Sequence, residues 1–294
     1  MSASSVEFRD LTIDDVPAGL GLCRHAGWNQ LAADWQLFLN LSPHGCRAAV
    51  QGGRVVGTVT TVNYENRFAW IGMVLVDPQF RGRGIGTRLL EESLKILRNI
   101  GCARLDATPQ GRPVYQRLAF VDEYELSRMQ LDLPEMGFQL SSFKGDEARR
   151  GLARRMVETD LPAVREIDSR IFGADRHRIL RWAMQLAPEY AWVIEGRSGI
   201  EGYCFGRHGH KFDQIGPIYA PVETLAQALT AACLAGTAAK RIIIDPLHHS
   251  PGWISWLQEI GFVHQRPFTR MVRGENSYPG EPNLQWAIFG PEFG

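Results

Sequence analysis

Arg81-Gly82-Arg83-Gly84-Ile85-Gly86 is the stretch on which the reading of this chain turns. An apolar run, Trp70 to Val76, and the turn Asp77-Pro78 come before it; a helix-like segment, Thr87 to Ile100, comes after. Strand, glycine-rich turn and helix together form a seat for a phosphate. Glycines accept positive φ and let the backbone approach an anion closely. The unbonded N–H groups of a helix start, helped by the helix dipole, then face the charge. Arg81, Arg83 and Arg88 add positive charge at that end. Two other phosphate loops compete with this reading. A dinucleotide fingerprint, G-x-G-x-x-G, would need its third glycine where Thr87 stands, although Asp106 lies near the spacing of its ribose-binding acid and keeps that reading open. A Walker loop needs Gly-Lys-Ser/Thr at its end, and that is absent.

The chain has 294 residues, room for one large or two ordinary domains. Hydrophobic residues at 45% and charged residues at 22% are the proportions of a soluble globular protein. Lys+Arg and Asp+Glu both number 32, so no overall field draws nucleic acid. No apolar run reaches the length of a membrane span, and the N-terminus lacks the apolar core of a signal peptide. Cys23, Cys46, Cys102, Cys204 and Cys233 form no C-x-x-C, which implies reduced thiols and a cytoplasmic setting. His208-x-His210 and His248-His249 have no Cys or acid at zinc-ligand spacing, so no metal is expected.

The second half repeats the first. Asp15-Val16-Pro17-Ala18 matches Asp160-Leu161-Pro162-Ala163 at an offset of 145 (162 − 17). Leu118-Ala119-Phe120-Val121 matches Ile260-Gly261-Phe262-Val263 at 142 (262 − 120), and Ser127-Arg128-Met129 matches Thr269-Arg270-Met271 at the same 142. Asp106 corresponds to Asp245 after an apolar strand. Such steady offsets imply two copies of one fold. The expected division is residues 1–135, a linker over 136–152, a second copy over 153–273 and a tail over 274–294.

Each copy reads as α/β with a mixed sheet. In the first, Val6 to Arg9 is a short strand, and Thr12 with Asp15 forms a capping-box pattern before a helix to about Cys23. Arg47 to Val50 and Val55 to Tyr64 flank the hairpin turn Gln51-Gly52-Gly53-Arg54. The helix after Gly86 puts Leu89, Leu90, Leu94, Leu97 and Ile100 on one face, pairs Glu91 with Lys95 and stops at Gly101. Cys102 to Thr108 reads as a strand, Arg112 to Leu118 as a short helix, and Tyr124 to Leu133 as a returning strand.

The pattern R-x-x-G-x-G after a V-x-V-D-P strand end resembles motif A of the GCN5-related N-acetyltransferases (GNAT), where this loop holds the pyrophosphate of acetyl-coenzyme A. The element order β-αα-βββ-α-β-α-β is also that of the family. The stretch Leu105 to Tyr115 and the endings Arg270 to Gly274 and Phe289 to Gly294 resemble the tandem, YitH-type branch, whose second domain is degenerate. The resemblance implies acetyl-CoA as cofactor, held by Arg81, Gly82, Arg83, Gly84, Ile85, Gly86 and Thr87, with the backbone of Val74, Leu75 and Val76 at the thioester. Within Gly111 to Phe120, Tyr115 falls on the family's acid, which protonates the departing sulfur. Ala119 replaces the usual glycine and Thr108 the usual asparagine.

The second copy has lost this equipment. Its counterpart of the phosphate loop, Ile215 to Thr224, has no arginine and no glycine run, and Glu223 sets a carboxylate at the helix start. Leu257 stands where Tyr115 does, five residues before the Gly-Phe entry. His248, His249 and Trp253 follow Asp245 at the place equivalent to the first copy's active loop and are candidates to line an acceptor pocket. Candidate bases are Asp106, Glu65, Glu123, Asp122 and the carboxylate of Gly294. The expected activity is acetyl transfer from acetyl-CoA to a primary amine of a small molecule, by direct attack in a ternary complex, with no nucleic acid, membrane or metal partner; the sequence leaves the oligomeric state open. A protein lysine or N-terminal acceptor, and a non-catalytic CoA-binding module, are the alternatives.

Overall fold

A computed structural model describes residues 5–133, 152–197 and 199–294; residues 136–151 of the expected linker lie outside the described residues. Two compact units emerge, and they do not follow the linear division. The first unit is Met1–Glu123 with Arg270–Ser277 and Pro291–Gly294. The second is Tyr124–Thr269 with Tyr278–Gly290.

The first unit is built on β1 (Glu7–Asp10), β2 (Arg47–Gln51), β3 (Arg54–Tyr64), β4 (Phe68–Val76) and β5 (Cys102–Ala107) in that spatial order. β1 to β4 pair antiparallel, and β5 runs parallel to β4. Beside β5 lies a strand from the far end of the chain, β12 (Val263–Gly274), of which Arg270 onward belongs to this unit. The returning strand expected there, β6 (Val121–Asp132), instead pairs antiparallel with β11 (Arg241–Ile244), from Asp132 against Arg241 to Met129 against Ile244.

Helix α1 (Val16–His25) follows the Thr12 cap, where Thr12 N–H donates to Asp15 at 2.8 Å and Arg9 grips the same carboxylate at 2.6 and 2.8 Å. The second unit repeats this knot at an offset of 145 (160 − 15): Val157 N–H donates to Asp160 at 2.8 Å, and Arg154 grips it at 2.8 and 2.9 Å. The turn between β2 and β3 has Gly52 at φ 58° and Gly53 at φ 79°, the paired left-handed conformation of a two-residue hairpin loop. Helices α2 (Ala32–Leu41), α3 (Ile85–Ile96) and α4 (Arg112–Arg117) complete this unit. α3 buries Ile85, Leu89 and Leu90 against Val56, Val59, Ala69 and Ile71 of the sheet. It ends at Ile96 and not near Gly101, because the next residues close tighter bonds, Arg98 N–H to Lys95 and Ile100 N–H to Leu97. Lys95 pairs with Glu92 at 3.0 Å, one position from the expected Glu91, since Arg88 also reaches Glu92.

In the second unit β6, β11, β10 (Asp213–Tyr219), β9 (Gly199–Arg207), β8 (Trp192–Gly196) and β7 (Ala153–Arg155) lie in that order. Helices α5 (Leu161–Phe172), α6 (His177–Leu186), α7 (Glu223–Gly236) and α8 (Pro251–Glu259) accompany them. Cys204 and Cys233, 29 residues apart in sequence, bring their sulfurs to 3.4 Å as buried free thiols.

Ala119, where the family uses glycine, takes φ 63°. A left-handed backbone costs a residue with a Cβ roughly 1–2 kcal/mol, and the second unit meets the same need with Gly261 at φ 102°. Ala119→Gly should therefore stabilise the protein by about 0.5–1 kcal/mol after the added chain entropy is subtracted, seen as a rise of a few degrees in melting temperature. An unchanged or lower melting temperature would mean that the turn is not strained.

Candidate active site

The seam between β4 and β5 organises the first unit's site. The two strands pair only at Ala69–Ala103 and Trp70–Arg104. Among the described residues no pairing of β4 with β5 continues beyond these, although β4 runs on to Val76 and β5 to Ala107, which leaves the seam between their C-terminal ends unpaired. A register shift against β3 between Thr58 and Thr60 coincides with Met73, at φ 51°, and Thr58 Oγ1 donates to Met73 O at 3.0 Å. A non-glycine residue held at positive φ inside a strand is a costly conformation of the kind that gathers at functional sites. The bulge breaks the β3–β4 register just before Val74, Leu75 and Val76, of which Leu75 and Val76 pair again with Thr58 and Gly57.

The glycine loop follows at once. Asp77, nearly buried, accepts Gln79 N–H at 2.9 Å and pairs with Arg54, which fixes the turn Pro78–Phe80. Gly82 at φ 74° and Gly84 at φ 76° are left-handed, and a Cβ at either would meet no atom within 4 Å. Gly84 caps α3, and Arg88 is the first residue of that helix with a recorded bond back, to Gly84 O at 3.0 Å. The N–H groups of Ile85, Gly86 and Thr87 are those a helix start leaves unbonded. Arg81 and Arg83 are exposed and steadied by backbone carbonyls, Arg81 by Val76 O and Arg83 by Gln79 O, each at 3.1 Å. Arg88 turns away along the helix to Glu91 and Glu92.

Tyr115 lies on α4 and packs with Val114 against the apolar cluster of Leu105, Ala107 and Phe120. Its ring leaves no room for a side chain at Gly111, whose Cβ would come within 2.9 Å. Burial pushes the phenol up to about 12, so it stays protonated through the neutral range and is a donor there.

The candidate bases prove to be engaged or exposed. Asp106 is wholly buried, with both oxygens taken by Arg270 at 2.8 and 2.9 Å. Asp122 pairs with Arg112 and Glu65 with Arg67, while Glu123 accepts from Asn276. The chain's last residues were the least legible part. Pro291 O accepts the Trp70 indole N–H at 2.9 Å, Phe293 O accepts the Tyr64 hydroxyl at 2.7 Å, and the Phe293 ring stacks on Phe38 at 4.5 Å. Gly72 permits this approach, since a Cβ there would lie 2.9 Å from Glu292 O.

The second unit's equivalent seam is filled. β10 pairs with β11 over Asp213 to Ile215, and then β13 (Gln285–Ala287) lies antiparallel against Ile218 and Tyr219. Pro246 bridges to Ala287 on its other side. The indole of Trp286 donates to Ala220 O at 2.8 Å. Trp253, expected in an acceptor pocket, is fully buried, stacks on Trp256 and spends its indole N–H on Trp286 O at 3.0 Å. His249 bonds Gln285 O at 3.0 Å and His248 bonds Ser127 at 2.8 Å, and burial lowers the pKa of both rings. Trp253 and His249 thus both bond the inserted strand; Trp253, fully buried, has no free face to offer an acceptor pocket, whereas His249 is exposed. At the start of α7 the Glu223 carboxylate accepts Ser250 at 2.7 Å and Gln227 at 2.9 Å, and buried Leu257 occupies the tyrosine position.

Comparison with known proteins agrees with this duplication. Residues 13–120 match the acetyltransferase (GNAT) family, and residues 164–287 match a second acetyltransferase (GNAT) domain. The chain is 26% identical over 276 residues to holothin acyltransferase of Pseudoalteromonas sp. (strain SANK 73390), covering 91% of this chain and 87% of that one. It is 24% identical over 263 residues to the uncharacterized N-acetyltransferase YitH of Bacillus subtilis (strain 168), covering 83% of each. The crystal structure of a Pyrococcus horikoshii protein put forward as an acetyltransferase shares the fold, with a TM-score of 0.79, 23% identity and coverage of 98% and 96%. The chain therefore belongs to the GCN5-related N-acetyltransferase superfamily, as a tandem acetyltransferase of the YitH-like branch.

Proposed function

We propose that the first unit transfers an acetyl group from acetyl-CoA to a primary amine of a small molecule, by direct attack within a ternary complex. The observation that carries this reading is the seam between β4 and β5, open beside a loop of left-handed glycines, where the second unit's seam is filled by its own β13. The residues fit the cofactor. Gly82 and Gly84 hold positive φ in open space, where a Cβ would strain the backbone and stand between it and an approaching anion. Ile85, Gly86 and Thr87 would offer their N–H groups to the pyrophosphate, and Arg81 and Arg83 would add charge. Val74, Leu75 and Val76 would hold the arm by backbone bonds. Bound acetyl-CoA supplies an acyl group on a thioester. Tyr115, protonated at working pH, would give its proton to the sulfur as it leaves. A small acceptor is supported by the tail, which covers β4 at Trp70 and Gly72 and narrows the approach from that side. The name of one relative, holothin acyltransferase, points to a single compound as its acceptor.

Screening a library of primary amines for acetyl-CoA turnover tests this reading, and absence of turnover with every member would overturn it. Tyr115→Phe keeps the ring and removes the donor. It should lower kcat roughly 10- to 1000-fold with little change in acetyl-CoA affinity; wild-type turnover would reduce Tyr115 to packing. Gly84→Asp adds a strained Cβ and a negative charge to the loop, and should weaken acetyl-CoA binding more than about tenfold by calorimetry. Undiminished affinity would mean that the loop does not hold the pyrophosphate.

A further inference from the structure

We propose that Glu292 is the base that takes the acceptor's proton, in a buried cluster of acceptor atoms that it forms with Gln30 and Thr60. This rests on the acetyl-transfer reading above and goes on to name the group that reading lacks. Glu292 is 5% exposed, and its Oε1 accepts Gln30 Nε2 at 2.7 Å. Gln30, 7% exposed, lies between α1 and α2, and Arg24 fixes its backbone by donating to Gln30 O at 2.9 Å. The other end of that amide, Oε1, is buried without a hydrogen-bond partner among the described residues. So is the Oγ1 of Thr60, a wholly buried residue. Thr60 sits directly across from Gly72 in the β3–β4 ladder, and paired residues of an antiparallel sheet present to the same face. That is the face on which Glu292 O lies 2.9 Å from the Cβ position of Gly72.

Unpaired buried polar atoms are costly and call for a partner. The Gln30 amide lies against the Glu292 carboxylate, and Thr60 pairs with the glycine that Glu292 covers; their oxygens all accept hydrogen bonds, so the partner they suit is a donor with more than one N–H. A primary amine is such a group. Gly72 is two residues before Val74, about 7 Å along the strand, within reach of a glutamate side chain or one bridging water.

The placement also separates base from acid. Phe68, Trp70 and Gly72 alternate toward the tail, while Ala69 and Ile71 face α3 and the cluster that includes Tyr115. Glu292 and Tyr115 therefore stand on opposite faces of the sheet, on either side of the seam. The amine nitrogen bonds to the acyl carbon and the carbon–sulfur bond breaks. The nitrogen's proton passes to the Glu292 carboxylate, and the sulfur receives the proton of Tyr115. Solvent exchange then restores both side chains.

Glu292→Gln keeps the shape and the Gln30 bond but cannot accept a proton. With the primary amine that wild type turns over fastest, it should lower kcat by about 10²- to 10⁴-fold. It should also abolish the fall in kcat/KM at acid pH that a titrating base imposes, and leave acetyl-CoA affinity and melting temperature unchanged. Cys23 senses the charges of Glu292, Arg24 and Asp34, and Tyr64 and the terminal carboxylate of Gly294 belong to the same tail contacts; the Cys23 thiol, pushed up to about 12 by burial, stays neutral across that range. Glu292→Asp should recover part of the rate. Gln30→Leu should raise KM for the amine about tenfold with less effect on kcat. A wild-type rate and pH profile in Glu292→Gln would overturn the assignment and leave the acetyl-transfer reading standing. Loss of acetyl-CoA affinity or of the fold in Glu292→Gln and Glu292→Asp alike would make the residue structural. Absence of amine turnover by wild type would overturn both.

Discussion

Two buried arginine–aspartate pairs govern this architecture. Arg270 meets Asp106 at 2.8 and 2.9 Å, and Arg128 meets Asp245 at 2.8 and 2.7 Å, each through two parallel bonds in surroundings that exclude water. In sequence Arg128 and Asp106 belong to the first repeat, Arg270 and Asp245 to the second. Each arginine thus completes the unit whose aspartate came from the other repeat. A buried pair of this kind adds little net stability, but stranding one member costs about 3–5 kcal/mol. The charges therefore specify which strand closes which sheet. Arg270 also lies over the Trp70 ring at 4.4 Å, and Gln214 donates to Asp245 at 2.8 Å, so neither pair is isolated from its sheet.

Once β12 is committed in this way, the last twenty residues can serve both units. Gln285–Ala287 fill the second unit's seam, and Pro291–Gly294 lie on β4 of the first. One short segment fills the seam of one copy and lies against β3 and β4 of the other. The structural asymmetry between the copies follows from this use of the tail as much as from the differing loops before their helices. A chain cut after the first repeat would lack Arg270, Met271 and Phe293 and would take both Arg270 bonds from the buried Asp106 carboxylate.

What the sequence revealed was local. The hairpin at Gly52-Gly53, the Thr12 cap, the left-handed glycines before α3 and the tyrosine on α4 are each set by neighbours a few residues away, and the repeat offsets carry them to the second copy. The exchange of β6 and β12 was not legible, because both strands alternate in the same way and their register is decided by partners more than a hundred residues distant. Trp253 stands at the place equivalent to the first copy's loop, and the strand that buries it comes from Gln285–Ala287, beyond the segments that match between the repeats. Glu292 sits in an ending that carries a family resemblance but no helix or strand periodicity, and only folding brings it to Gln30, 262 residues earlier. The bulge in β4 was likewise hidden, because the positive φ falls on Met73 and not on the neighbouring Gly72.

On the function proposed above, duplication has left one groove for acetyl-CoA and one seam filled by the chain itself. Titration calorimetry of the intact protein with acetyl-CoA tests this most directly. The account predicts one molecule bound per chain, with binding lost when the Gly82–Gly84 loop is altered and kept when residues around β13 are altered. Two molecules per chain, or binding that survives loss of the glycine loop, would contradict it.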